Sequence, residues 1–220
     1  MSWSAVTAVL LMGVAGLTAR PAAPQESMPT ADAALTELKA GNDHHQRHKY
    51  AHPHETAARQ RELVSAQHPH AMVLACADSR VPPEVVFDQG LGDLFTVRVA
   101  GNVVDDAVIA SFEYAVEHLH TPLLVVMGHQ SCGAVTAAAE GGEVPGHLPT
   151  LVAAIRPSVE QARSQPGNLV ENAIRLNVEA VVNQLRRSGP VLSDAVTKGH
   201  LRVVGAVCSL ESGAVRWLPD

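Results

Sequence analysis

The chain has 220 residues, with 16 Lys+Arg against 22 Asp+Glu and a formal net charge of −6 when histidine is neutral. Its 46% of hydrophobic residues can build a core, which excludes wholesale disorder. Net acidity without a Lys/Arg block, and only 3 Phe, 2 Trp and 2 Tyr, exclude a phosphate-tracking or base-stacking surface, so no nucleic-acid partner is expected.

Residues 1–19 carry no charged side chain, and 5–19 form an apolar run. A bilayer crossing takes about 20 residues, so no stable membrane span is expected. The run suits the apolar region of an export signal, although no Lys or Arg precedes it and no clean A-x-A site follows. Residues 1–29 are read as leader and linker and 30–220 as one domain. The protein is then expected to be exported, periplasmic or extracellular, with a cytoplasmic location as the alternative.

A first helix is predicted over 30–40, with Leu35 and Leu38 on one face and Gly41 as its stop. His44, His45, His48, His52 and His54 follow, then a second helix over 55–66. His68-Pro69-His70 leads into a strand at 72–77. A strand at 94–100 and a helix at 104–117 come next, and the apolar run 123–127 reads as a strand covered on both faces. A helix over 132–140 precedes a Gly/Pro-rich loop at 141–149. Helices at 151–163 and 169–187 follow, then strands at 201–207 and 214–218 around Ser212-Gly213. Strands alternating with helices predict an α/β fold, a central mostly parallel β-sheet flanked by helices.

Three cysteines, an odd and small number, cannot staple such a chain; beside 12 histidines they raise the question of a metal. In α/β sheets, ligands bind at the carboxyl ends of strands. Two strands here end in reactive residues: Cys76-Ala77-Asp78-Ser79-Arg80 and Gly128-His129-Gln130-Ser131-Cys132-Gly133. Alternation along an extended chain would put 76, 78 and 80 on one side. His129 and Cys132 can converge where strand passes into helix. Together, Cys76, His129 and Cys132 make three zinc ligands with a fourth position open, the pattern of a catalytic rather than a structural site. Water in that position would become a hydroxide nucleophile, though two thiolates should acidify it less than three imidazoles do. Asp78 could accept the hydroxide proton, and Arg80 could hold that carboxylate ionised. The same residues are also compatible with two small buried cysteines and a capping histidine. A catalytic thiol on Cys76 or Cys132 with a histidine partner is a third reading.

Cys76-Ala77-Asp78-Ser79-Arg80-Val81-Pro82-Pro83-Glu84, the stretch from Phe87 to Phe95, Arg98-Val99-Ala100-Gly101-Asn102 and Gly128-His129-Gln130-Ser131-Cys132-Gly133 together resemble the β-class carbonic anhydrases. The resemblance covers about residues 32–219. It implies one Zn²⁺ per chain on Cys76, His129 and Cys132, the Asp78–Arg80 dyad beside it, and reversible hydration of CO₂ to bicarbonate and a proton. It also implies a homodimer or dimer of dimers whose N-terminal helices pack on the partner subunit. Gln67, Phe95 and Tyr114 would line the substrate pocket from the partner, and Gly133 would offer a backbone contact to substrate. Members with a closed, bicarbonate-inhibited site carry a Trp three residues before the first ligand. This chain has Val73 there, although Arg98 matches the regulatory site's Arg. Val73 and Gln67 favour the open, constitutively active type.

Two other functions are compatible with this pattern: hydration of another heterocumulene such as COS or CS₂, or zinc storage. Storage has no use for the Asp–Arg dyad. The histidines between 44 and 70 are read as a solvated surface, with proton shuttling or weak zinc capture as alternatives. Cys208 is expected in the core, Glu140 and Glu143 in solvent, and Pro82-Pro83 at the end of a strand.

Overall fold

The computed structural model describes residues 28–219, so positions 1–27 of the expected leader lie outside the described residues. Five strands form one sheet: β1 (Ala71–Ala75), β2 (Leu94–Arg98), β3 (Leu123–His129), β4 (Arg202–Cys208) and β5 (Val215–Trp217). Their spatial order is β2-β1-β3-β4-β5. β1 to β4 are mutually parallel, and β5 turns back antiparallel on β4. Every residue of β1 and β3 is buried, as their unbroken apolar runs predict, whereas edge strand β2 is half-buried. From β1 the chain moves outward to β2 and then crosses back to β3. The carboxyl ends of β1 and β3 therefore meet at a reversal of strand order, where open α/β sheets present their crevice.

The helices are α1 (Ala31–Gln46), α2 (Ala57–Glu62), α3 (Pro83–Val86), α4 (Asp106–Leu119), α5 (Gly133–Glu140), α6 (Leu148–Ala162), α7 (Leu169–Arg187) and α8 (Val191–Thr197). Local chemistry sets their starts. Thr30, Asp105 and Asn168 each accept a backbone N–H of the first turn of α1, α4 and α7. Among the described residues, no helix is long and apolar enough to cross a membrane.

The first helix departs from expectation: it runs through Gly41 to Gln46. A Cβ at Gly41 would stand 1.7 Å from the carbonyl oxygen of Phe87. This glycine lets α1 touch the turn after α3, and it does not end the helix. Next to it, buried Asn42 donates to the carbonyls of Val86 and Gly213 at 3.0 and 2.9 Å and accepts the Val215 N–H at 2.9 Å. With Leu35 and Leu38 in the core, α1 lays its apolar face on its own chain. α2 is shorter than expected and buries no residue. Pro83 opens the short helix α3 at a position where its missing N–H costs nothing, so Pro82-Pro83 starts a helix as well as closing a turn. α8 occupies a stretch for which the sequence pattern predicted no element.

Candidate metal centre

β1 stops at Ala75, two residues short of its predicted end, so strand alternation is not what brings Asp78 and Arg80 together. The chain turns instead. The Arg80 backbone N–H donates to Asp78 Oδ1 at 3.0 Å, a side-chain-closed turn of the kind aspartate favours. That turn aims the guanidinium back at the same carboxylate, with Nε on Oδ1 at 2.9 Å and Nη2 on Oδ2 at 2.7 Å. The bidentate Arg80 contact holds the Asp78 carboxyl well below the usual carboxylate range, against the opposing effect of burial.

Cys76 leaves the end of β1, His129 is the last residue of β3, and Cys132 directly precedes the first residue of α5. Their donor atoms all lie within 4.8 Å of one another, the one such group of three or more His, Cys, Asp or Glu among the described residues. All three are buried, and the two sulfurs are 4.0 Å apart. His129 Nδ1 meets the Gln130 carbonyl at 2.8 Å, which selects the tautomer that leaves Nε2 as a lone-pair donor. That Nε2 is buried without a hydrogen-bond partner, an arrangement costly for a polar atom unless something else engages it.

The two thiols are unequal. The Cys132 thiol beside it holds the Cys76 pKa well below the ordinary thiol value against burial, helped by His129 and by the Gly101 N–H. The same contact and burial push Cys132 up. The pair thus favours one thiolate and one shared proton. A divalent cation would take that proton's place and occupy the orphaned His129 nitrogen. Two soft sulfurs and one imidazole form a donor set suited to Zn²⁺. Asp78 stands outside this group but close, its Oδ2 3.8 Å from His129 Nε2.

A supporting layer was only partly visible in the sequence. The Gly101 N–H points to Cys76 Sγ at 3.3 Å, and Asn177 of α7 donates to the Gly101 carbonyl at 2.9 Å. Gly101 has φ +69° and lies against Ile155, where a Cβ would come within 2.6 Å of Cδ1. The Arg98–Asn102 motif contains Gly101, whereas Asn177 was missed. Its signal was a lone amide in the buried stripe Ala173, Ile174, Leu176, Val178 and Val181. Arg98 donates to the carbonyls of Cys76 and Asp78.

Gln67, Phe95 and Tyr114 do not join the cluster of their own chain. Phe95 sits opposite Met72, four residues before Cys76 and so about 13 Å back along the strand at about 3.3 Å per residue. Its ring lies 6.3 Å from that of Tyr114. Gln67 and Tyr114 line one groove with Leu63, Val64 and His118. Gly133 follows Cys132 directly, with open space where a side chain would be.

The histidine-rich segment is tied down locally. His44 meets Asp88 at 2.8 Å, His54 meets Asp93 at 2.7 Å, His45 meets Tyr50 and His52 meets Glu55. Cys208 is buried, as expected, and burial raises its pKa to about 11. Glu140 and Glu143 are exposed.

The carbonic anhydrase family profile matches residues 71–215. Carbonic anhydrase 2 of Mycobacterium tuberculosis is 40% identical over 185 residues, covering 82% of this chain and 89% of that protein. The carbonic anhydrase of Mycolicibacterium smegmatis is 41% identical over 187 residues, covering 83% and 91%. Among solved structures, one of two tetrameric β-carbonic anhydrases from the filamentous ascomycete Sordaria macrospora superposes with a TM-score of 0.68 at 26% identity, covering 86% of this chain and 95% of that one. With the fold, the donor cluster and these likenesses in agreement, the chain belongs to the β-class carbonic anhydrases.

Proposed function

We propose that this protein hydrates CO₂ reversibly to bicarbonate and a proton, with one zinc ion held by Cys76, His129 and Cys132. The observation that carries the reading is the buried Cys–His–Cys group with an Arg-clamped carboxylate 3.8 Å from its imidazole. Zinc bound there would supply Lewis acidity, lowering the pKa of water towards neutrality. The remaining work falls to the chain. Cys76 and Cys132 provide negative charge and His129 a neutral nitrogen. Ionised Asp78 is an acceptor only, so it can take the O–H of the attacking oxygen and leave a lone pair facing CO₂. Arg80 keeps Asp78 ionised and fixes its rotamer.

Both Asp78 oxygens are engaged by Arg80, and Val73 stands where closed members carry Trp. These features support the open, constitutively active type.

The active unit is proposed to be a homodimer or dimer of dimers, in which Gln67, Phe95 and Tyr114 complete the partner's pocket and Gly133 offers its backbone to substrate. Val64, Leu91 and Tyr114 are 84%, 49% and 47% exposed, and α2 buries nothing on its own chain. A second copy would cover this surface. Export through residues 1–29 is part of the proposal; cell fractionation with and without those residues tests it, and unchanged distribution would remove it.

The central experiment is stopped-flow CO₂ hydration across pH, with metal content measured on the same sample. One zinc per chain with chelator-sensitive hydration is expected. A zinc-loaded chain without hydration activity would overturn the reading.

A further inference from the structure

The pairing of β1 with its neighbours stops before the residues that carry the chemistry. Ala75 is the last β1 residue in register, opposite Arg98 of β2 and Met127 of β3. The main-chain bond at the end of the β1–β2 pairing runs from the Val99 N–H to the Ala75 carbonyl at 3.1 Å. Cys76 and Asp78 therefore sit on backbone that has left the sheet, although both need fixed positions.

Arg98 begins level with Ala75 and reaches past the strand end. Its Nε donates to the Cys76 carbonyl at 3.0 Å and its Nη2 to the Asp78 carbonyl at 2.6 Å. Both carbonyls belong to one turn, and the planar guanidinium spans them with two donors set in a fixed fork. Charge-assisted bonds of this kind are about twice as strong as neutral ones. Among the described residues, Arg98 has no carboxylate partner in an ion pair.

We infer that Arg98 is a positioning residue for the metal centre: it grips the main chain of the turn that bears Cys76 and Asp78, extending the order of the sheet to a ligand and to the dyad. The inference rests on the metal reading above. Two of its three guanidinium nitrogens are committed to these carbonyls, so its counterpart's role in a regulatory anion site does not transfer directly to this chain.

The test compares full-length wild type, Arg98→Lys and Arg98→Met by chelator competition for zinc and by absorption of the cobalt(II)-substituted protein. Arg98→Met should weaken zinc binding by about 10–100-fold, as loss of supporting contacts around ligands commonly does. It should also shift the cobalt bands. Arg98→Lys, able to restore only one bond in the same direction, should fall between. Should Arg98→Met fail to fold, the cobalt spectrum of Arg98→Lys decides the matter. Folded variants with wild-type zinc affinity and an unchanged cobalt spectrum would overturn the inference. So would a zinc loss fully matched by destabilisation of the metal-free chain, which marks a general structural role. A wild-type chain lacking thiolate-to-cobalt bands would instead remove the metal reading, and this inference with it.

Discussion

Asp78 Oδ2 lies 3.8 Å from His129 Nε2 and 2.7 Å from Arg80 Nη2, so one carboxylate oxygen bridges the donor cluster and a fixed cation. On the proposed mechanism, metal holding falls to the donor cluster and proton acceptance to Asp78. Asp78→Asn keeps the shape but replaces an acceptor-only oxygen with an amide. Zinc content should stay at wild-type level, while hydration falls by about 10²–10⁴-fold. Stopped-flow rates beside metal analysis check this, and wild-type turnover would dispose of the role given to the dyad.

The distance from Phe95 to its own Cys76 makes a prediction about assembly. A His129→Ala chain lacks a ligand, and a Gln67→Leu chain lacks a group assigned to its partner's pocket. Each homo-oligomer should be impaired. Co-expressed, they should regain activity, because a mixed dimer holds one site with an intact ligand set and an intact Gln67. Purified hetero-oligomers no more active than either parent would show that the site is complete within one chain.

Asp88 gives a stability signature in acid. Burial alone would raise its carboxyl, but the backbone N–H of Ala51, His44, and the backbone N–H of His52 together hold it below the ordinary value. A depressed pKa in the folded chain means that the contribution is present above the unfolded value of about 3.9 and is lost as pH falls below it. Thermal unfolding of wild type and Asp88→Asn should therefore differ most above about pH 5. The gap should close below about pH 4.

The cysteines should label in two classes. Zinc ligation should shield Cys76 and Cys132 from a thiol reagent, and a chelator should release Cys76 first, because the contact that lowers its pKa raises that of Cys132. Cys208, with its pKa raised to about 11 by burial, should lag in either state. Peptide mapping after timed alkylation at pH 8 reads this, and fast labelling of Cys208 in the folded chain would contradict its buried environment.

Much of the sheet was legible because it depends on local pattern: the apolar run 123–127 and the strand at 94–100 match β3 and β2 closely. Legibility failed where distant contacts decide. Gly41 reads as a helix stop until Phe87 is known to press on it, and α8 carries no strong period. At the site, the Cys76, His129 and Cys132 cluster could be anticipated from residue type at two strand ends, but not how the chain brings Asp78 and Arg80 together. Alternation suggested how 76, 78 and 80 could share a side; the actual cause is a turn closed by the Asp78 side chain after β1 has ended.

Residue chemistry and spacing offered Cys76, His129 and Cys132 as candidate metal donors with Asp78 and Arg80 beside them, and the family resemblance selected that reading over two buried cysteines or a catalytic thiol. Donor properties are intrinsic to thiol, imidazole and carboxylate groups at strand ends. Only the tertiary structure decided that Cys76 meets a pair of residues more than fifty positions away, that His129 Nε2 is left without a partner, and that Arg98, Gly101 and Asn177 hold the turn and its sulfur. Those relations come from strand order and helix packing, which bring together atoms that no local pattern along the chain records.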